Sequence, residues 1–178
     1  MRGLTVLLSL FAASVAGAGA PGLTTVILTR HAEKADASAD TSLSAAGHER
    51  ARELARALSG TPIAAIYTTQ YARTRETAAP VAAAVKLTPV TVDAGGVMQD
   101  GGRKGYAAEV ADRIRRDHPG QTVLVIGHSN TTRDVMKALG VAAPPVIEES
   151  HFDDLFVVTF MEGAEPSLVA LRYGVVAR

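Results

Sequence analysis

Leu23 to Thr29 (LTTVILT) is an uncharged, β-branched run of strand length, and after a polar stretch the pattern changes period. From Ser44 to Ser59 the apolar positions Ala51, Leu54, Ala55 and Leu58 recur at helical spacing among Arg50, Arg52, Glu53 and Arg56, with Ser44 placed to cap the start and Gly60 to stop the end. The alternation then repeats. Ile63–Thr68 reads as a strand and Arg73–Val85 as a helix that Pro80 bends or restarts. Pro89–Val92 is a brief strand, Tyr106–Asp117 a helix, Thr122–Ile126 a buried strand and Thr131–Leu139 a helix; Leu155–Phe160 and Ser167–Tyr173 read as closing strands. The segments Asp93–Gly105, with five glycines, and Gly140–His151 read as loops. Strands alternating with helices predict a three-layer α/β/α sandwich, with a mostly parallel central sheet and helices on both faces.

The first twenty residues follow a different pattern. Arg2 precedes an uncharged stretch, Leu4–Val15, and Ala16-Gly17-Ala18 offers the small residues that a signal peptidase reads. The expectation is a secretory signal over residues 1–18, cleaved near 18–20, and a single domain over 19–178. The alternative is an uncleaved membrane anchor. With cleavage the domain is periplasmic or secreted and keeps no stable membrane insertion.

Composition narrows the chemistry. The 178 residues hold 18 Lys+Arg against 18 Asp+Glu, so net charge supplies no reason to bind a nucleic-acid backbone, and any bound anion needs a local cluster. With no cysteine, the chain has no disulfide framework, thiolate zinc site or cysteine nucleophile.

In a parallel α/β sheet, ligands gather at the carboxyl ends of the strands. Three such ends carry unusual residues: Arg30-His31-Ala32-Glu33-Lys34, then Thr68-Thr69-Gln70-Tyr71-Ala72-Arg73, then Gly127-His128-Ser129-Asn130. If these strands are parallel neighbours, two arginines and two histidines meet in one pocket. Paired guanidinium forks suit a phosphoryl group rather than a metal cation. A neutral imidazole among them can attack phosphorus, and surrounding positive charge keeps it neutral.

These residues carry a resemblance. Arg30-His31-Ala32-Glu33 is similar to the R-H-G-E opening of the histidine phosphatase superfamily, whose members include the cofactor-dependent phosphoglycerate mutases, with Ala in place of the commoner Gly. Leu43-Ser44-Ala45-Ala46-Gly47 resembles the L-(S/T)-x-x-G before that family's first helix. Thr68 to Ala78 resembles S-S-x-x-x-R-A-x-x-T-A and aligns Arg73 with the phosphate-binding arginine, while Val125-Ile126-Gly127-His128-Ser129 resembles the second histidine motif. The resemblance implies that His31 is the phosphorylated nucleophile, that Arg30 and Arg73 are phosphate ligands, and that His128 is a further phosphate contact; it implies no metal or other cofactor, and a small phosphorylated substrate as the partner. It does not identify the acid that protonates the leaving group. The mutase branch has a glutamate after the third strand, where this chain reads Val90-Thr91-Val92-Asp93-Ala94-Gly95-Gly96, so Asp93 is the nearest candidate. The acid-phosphatase branch has an aspartate after the second histidine, where this chain has Ser129. Glu148, Glu149 and Asp153 flank His151 in a late loop and are further candidates.

The expected function is hydrolysis of a small phosphoester through a phosphohistidine on His31. Alternatives are a mutase-type phosphotransferase, a protein phosphohistidine phosphatase, a serine esterase using Ser129 in Gly127-His128-Ser129-Asn130-Thr131, and a phosphate-ligand binder without turnover. Among the remaining residues, Arg75 is expected on a helix surface, His48 and His118 in solvent, Glu33 and Lys34 at the pocket rim or in a surface ion pair, and Arg103 and Lys104 in a flexible turn or cationic lid.

Overall fold

The computed structural model describes residues 22–95 and 100–174; the expected signal sequence over 1–18 lies outside them. Ten elements follow in chain order: β1 (Thr24–Arg30), α1 (Ala45–Ala57), β2 (Ile63–Thr68), α2 (Ala72–Val85), β3 (Val90–Thr91), α3 (Asp100–Asp117), β4 (Thr122–Gly127), α4 (Ser129–Ala138), β5 (Asp154–Phe160) and β6 (Ser167–Arg172). The strands form one sheet in the order β3-β2-β4-β1-β5-β6. Strands β3, β2, β4 and β1 run parallel, and β5 and β6 close the sheet antiparallel.

Alternation along the central strands sends side chains to two cores. Val26, Leu28, Tyr67, Val123 and Val125 pack with Tyr106, Val110 and Ile114 of α3 and with Val135 and Met136 of α4. Ile27, Ile66, Leu124 and Ile126 pack with Leu54 of α1 and with Ala78, Val81 and Ala82 of α2. Helices therefore cover both faces, and continuous apolar runs such as Thr122–Ile126 are those of strands buried on both sides.

Two local readings change. The glycine-rich segment is not a loop to Gly105, because α3 already begins at Asp100. Three glycines lower helix propensity there, but Tyr106, Val110 and Ile114 anchor the helix in the core, and tertiary packing outweighs propensity. Lys104 consequently lies exposed on a helix, not in a mobile lid. Pro80 does not restart α2; it lies inside one continuous helix. Ser44 caps α1 as expected, its Oγ accepting from the Gly47 amide at 3.1 Å.

Candidate active site

The three motif-bearing strands are neighbours. Arg30 pairs with Gly127 at the end of β1 and β4, and Thr68 pairs with Ile126 at the end of β2 and β4. Their carboxyl ends bring Arg30, His31, Arg73 and His128 together, with exposures of 3, 4, 7 and 6%. The imidazole centroids of His31 and His128 are 5.2 Å apart, and Arg73 Nη2 lies 3.4 Å from His128 Nδ1. Among the described residues, no cluster of three His, Asp or Glu side chains could hold a metal ion.

Each ring is oriented by a neighbour. His31 Nδ1 lies 2.7 Å from the Ala32 carbonyl, which can only accept, so Nδ1 carries the proton and Nε2 keeps its lone pair. His128 receives Arg73 at Nδ1, leaving Nε2–H to donate to Thr69 Oγ1 at 3.1 Å. Burial, opposed by the bond to Ala32 and reinforced by Arg30 and Arg73, lowers the pKa of His31 to about 4. For His128, burial leads, followed by His31, Arg73 and Arg30, and the pKa falls to about 2. Both rings are neutral at physiological pH.

The arginines are held as tightly. Arg30 Nη1 donates to the carbonyls of Glu148, Glu149 and His151 at 3.0, 2.9 and 3.3 Å, and Nη2 donates to Glu149 Oε2 at 3.1 Å. Arg73 Nη1 donates to the Ala39 carbonyl at 2.9 Å. An aromatic ring stacks on each guanidinium, Phe152 at 4.2 Å from Arg30 and Tyr71 at 4.4 Å from Arg73. The Nε atoms of both arginines are buried with no hydrogen-bond partner among the described residues. Two cations and two neutral imidazoles in one buried cluster form a receptor for a compact oxyanion.

The acid candidates separate. Asp93 is exposed, its Oδ1 accepts from the Gly95 amide at 2.8 Å, and among the described residues no hydrogen bond or ion pair joins it to the four clustered side chains. Asp153 faces Arg172 at 3.6 Å. Glu148 is among the residues lining a groove with Pro145, Val146 and Leu171, and it meets Arg30 through its backbone carbonyl. Of the four candidates, Glu149 places its carboxylate at the site, between Arg30 and Ser129.

Several other readings are settled as well. Glu33 pairs with Arg50 at 2.7 Å, and Arg75 and His48 are exposed. His118 is not free in solvent but half-buried, between Tyr67 Oη at 3.1 Å and Gln121 Oε1 at 2.9 Å. The His151 ring meets Arg172, and only its backbone reaches Arg30. Sequence reasoning missed Tyr71, Phe152, Thr69 and Gln70, whose side-chain amide binds both the Ala94 amide and the Gly95 carbonyl at 3.0 Å. Tyr71 and Gln70 stood inside a recognised motif; Phe152 had no local signal, since it meets Arg30 only through the fold.

Residues 26–95 match the family model of the histidine phosphatase superfamily (branch 1). No curated protein matches the sequence significantly. Among solved structures, mycobacterial glucosyl-3-phosphoglycerate phosphatase is 16% identical over 85% of this chain and 100% of its own, with a TM-score of 0.64. A mutant phosphoserine phosphatase from Entamoeba histolytica, in complex with phosphoserine, is 16% identical over 82% of this chain and 94% of its own, with a TM-score of 0.62. The protein histidine phosphatase SixA, complexed with tungstate, is 21% identical over 83% of this chain and 96% of its own, with a TM-score of 0.61. The match to the superfamily model is thus confined to residues 26–95, while the chain as a whole shares the fold of these phosphatase structures.

Proposed function

We propose that this protein is a phosphomonoesterase that hydrolyses a small phosphoester through a phosphohistidine on His31, without a metal. The observation that carries the reading is the fixed tautomer of His31: Nδ1–H is held by the Ala32 carbonyl, and a neutral Nε2 stands among two buried guanidinium groups. Arg30 and Arg73 bind the phosphoryl oxygens and offset the charge that builds on them. His31 Nε2 attacks phosphorus, the P–O bond to the leaving group breaks, and the leaving oxygen departs with the electron pair and takes a proton. Water then attacks the phosphohistidine, the P–N bond breaks, and inorganic phosphate leaves with His31 neutral again. His128, neutral and 5.2 Å from His31 between ring centroids, lines the same pocket and holds Arg73 Nη2 at its Nδ1.

The esterase reading loses support at Ser129. Its hydroxyl donates to Glu149 Oε1 at 2.5 Å, while both nitrogens of the adjacent His128 are engaged by Arg73 and Thr69, so that imidazole is not free to act as the serine's base. We further propose that residues 1–18 direct export and that 19–178 act as one domain in the periplasm or medium. Turnover of p-nitrophenyl phosphate tests the activity. Hydrolysis that resists chelator and disappears in His31→Ala is expected; hydrolysis that survives His31→Ala contradicts the phosphohistidine route.

A further inference from the structure

Glu149 is an unusual residue to find beside an oxyanion receptor. Its carboxylate spans the pocket edge, Oε2 accepting from Arg30 Nη2 at 3.1 Å and Oε1 from Ser129 Oγ at 2.5 Å. The Arg30 side chain is buried (4% exposed), whereas the Glu149 side chain is 79% exposed, so the pair joins the receptor to solvent. Among the other acids nearby, Glu33 pairs with Arg50, and Asp153 and Asp154 face Arg172. Glu149 is thus the carboxylate in direct contact with a phosphate-binding arginine.

An acid role fits this residue poorly. Both oxygens already accept hydrogen bonds, and the Ser129 hydroxyl, followed by the Arg30 charge, holds the carboxyl below the usual carboxylate range. A general acid needs the reverse, a carboxyl whose neutral form is favoured. What an ionised carboxylate at this position does is act on the charge of whatever the phosphoryl group is attached to.

We propose that Glu149 is a specificity-determining residue: its negative charge at the pocket mouth favours phosphoesters with a neutral or cationic leaving group over those carrying a carboxylate or second phosphate close to the ester. The backbone carbonyls of Glu149 itself and of Glu148 both hold Arg30, so the charge has a fixed place relative to the bound phosphoryl group. Ser129 fixes it from the other side, at the first residue of α4 and next to His128. Two like charges at the solvent-exposed pocket mouth repel enough to change a rate constant about five- to tenfold, and salt weakens the effect.

The inference rests on the phosphatase reading, and one experiment separates the two. Glycerol 3-phosphate and 3-phosphoglycerate are matched in size and differ in a carboxylate. In the wild type, kcat/KM is expected to favour glycerol 3-phosphate. In Glu149→Gln the preference is expected to shift about five- to tenfold toward 3-phosphoglycerate, while Glu149→Asp keeps most of the wild-type preference. Raising salt should narrow the preference in the wild type and leave it nearly unchanged in Glu149→Gln. An unchanged ratio in a folded, active Glu149→Gln protein overturns the role of Glu149 and leaves the phosphatase reading intact. A wild type that hydrolyses neither ester nor p-nitrophenyl phosphate overturns both.

Discussion

His31 and His128 are neutral rings, and burial is the first cause of that neutrality in both. Ring-nitrogen NMR at pH 5.5 is expected to show both rings neutral, with the single ring proton of His31 on Nδ1; midpoints near the ordinary 6.5 would contradict the buried, arginine-flanked site. The same depression has a consequence for stability. The unfolded chain takes up protons below about pH 6.5 while the folded rings do not, so unfolding is favoured progressively as pH falls from 6.5 toward 4. Each histidine contributes a slope of about 1.4 kcal/mol per pH unit across that window, and nothing above it. Denaturant midpoints measured between about pH 7 and pH 4.5 should therefore fall more steeply in the wild type than in His128→Asn. At the proposed phosphate ligands, Arg73→Lys replaces a stacked, forked cation with a point charge, and we expect kcat/KM to drop by roughly two orders of magnitude. Arg30, His31 and His128 were legible because they end a strand or directly follow one, and Arg73 because it stands in a motif five residues past β2; Glu149 was one of several acid candidates, and only its tertiary contact with Arg30, 119 residues away, distinguishes it, while Phe152 had no local signal.

Glycines set the elements against the site. A Cβ on Gly47 would lie 2.3 Å from the Glu33 carbonyl oxygen, so the first turn of α1 can seat beneath the Arg30–Lys34 segment only without a side chain. Gly127 stands against the start of α4 in the same way, a Cβ there coming within 2.6 Å of Thr131 Oγ1. Gly47→Ala and Gly127→Ala are each expected to cost about 1–3 kcal/mol by overpacking, read from denaturant midpoints. Activity should fall further than stability explains, because the displaced backbone carries His31 or His128. Ser44→Ala, which removes only a cap, should cost about 1 kcal/mol with little effect on kcat. The element pattern itself was read well where period and breakers agreed, as in Ile63–Thr68, which matches β2 residue for residue. At α3 it placed the end correctly at Asp117 but the start at Tyr106 instead of Asp100: the glycine count suggested a loop and says nothing of the core contacts that anchor the helix at Tyr106, Val110 and Ile114.

On the scale of the whole molecule, a net charge of zero conceals a buried cationic cluster, and the fold explains how both hold at once. Parallel pairing of β2, β4 and β1 brings three motifs from distant parts of the chain to one edge of the sheet. That convergence was inferable from the strand-end rule, whereas the general acid was not, since the exposed Asp93 makes no contact with the cluster among the described residues. Export is a separate expectation at this scale. Intact mass of the protein recovered from the periplasm or medium should begin at residue 19 or close to it; a retained Met1 would contradict a cleaved signal. The central claim, that His31 carries the phosphoryl group, is tested most directly by quenching the enzyme during turnover and mapping the adduct by mass spectrometry. The account predicts one acid-labile, alkali-stable phosphoryl group on His31, absent in His31→Ala. An acid-stable adduct on Ser129, or turnover with no adduct on His31, would contradict it.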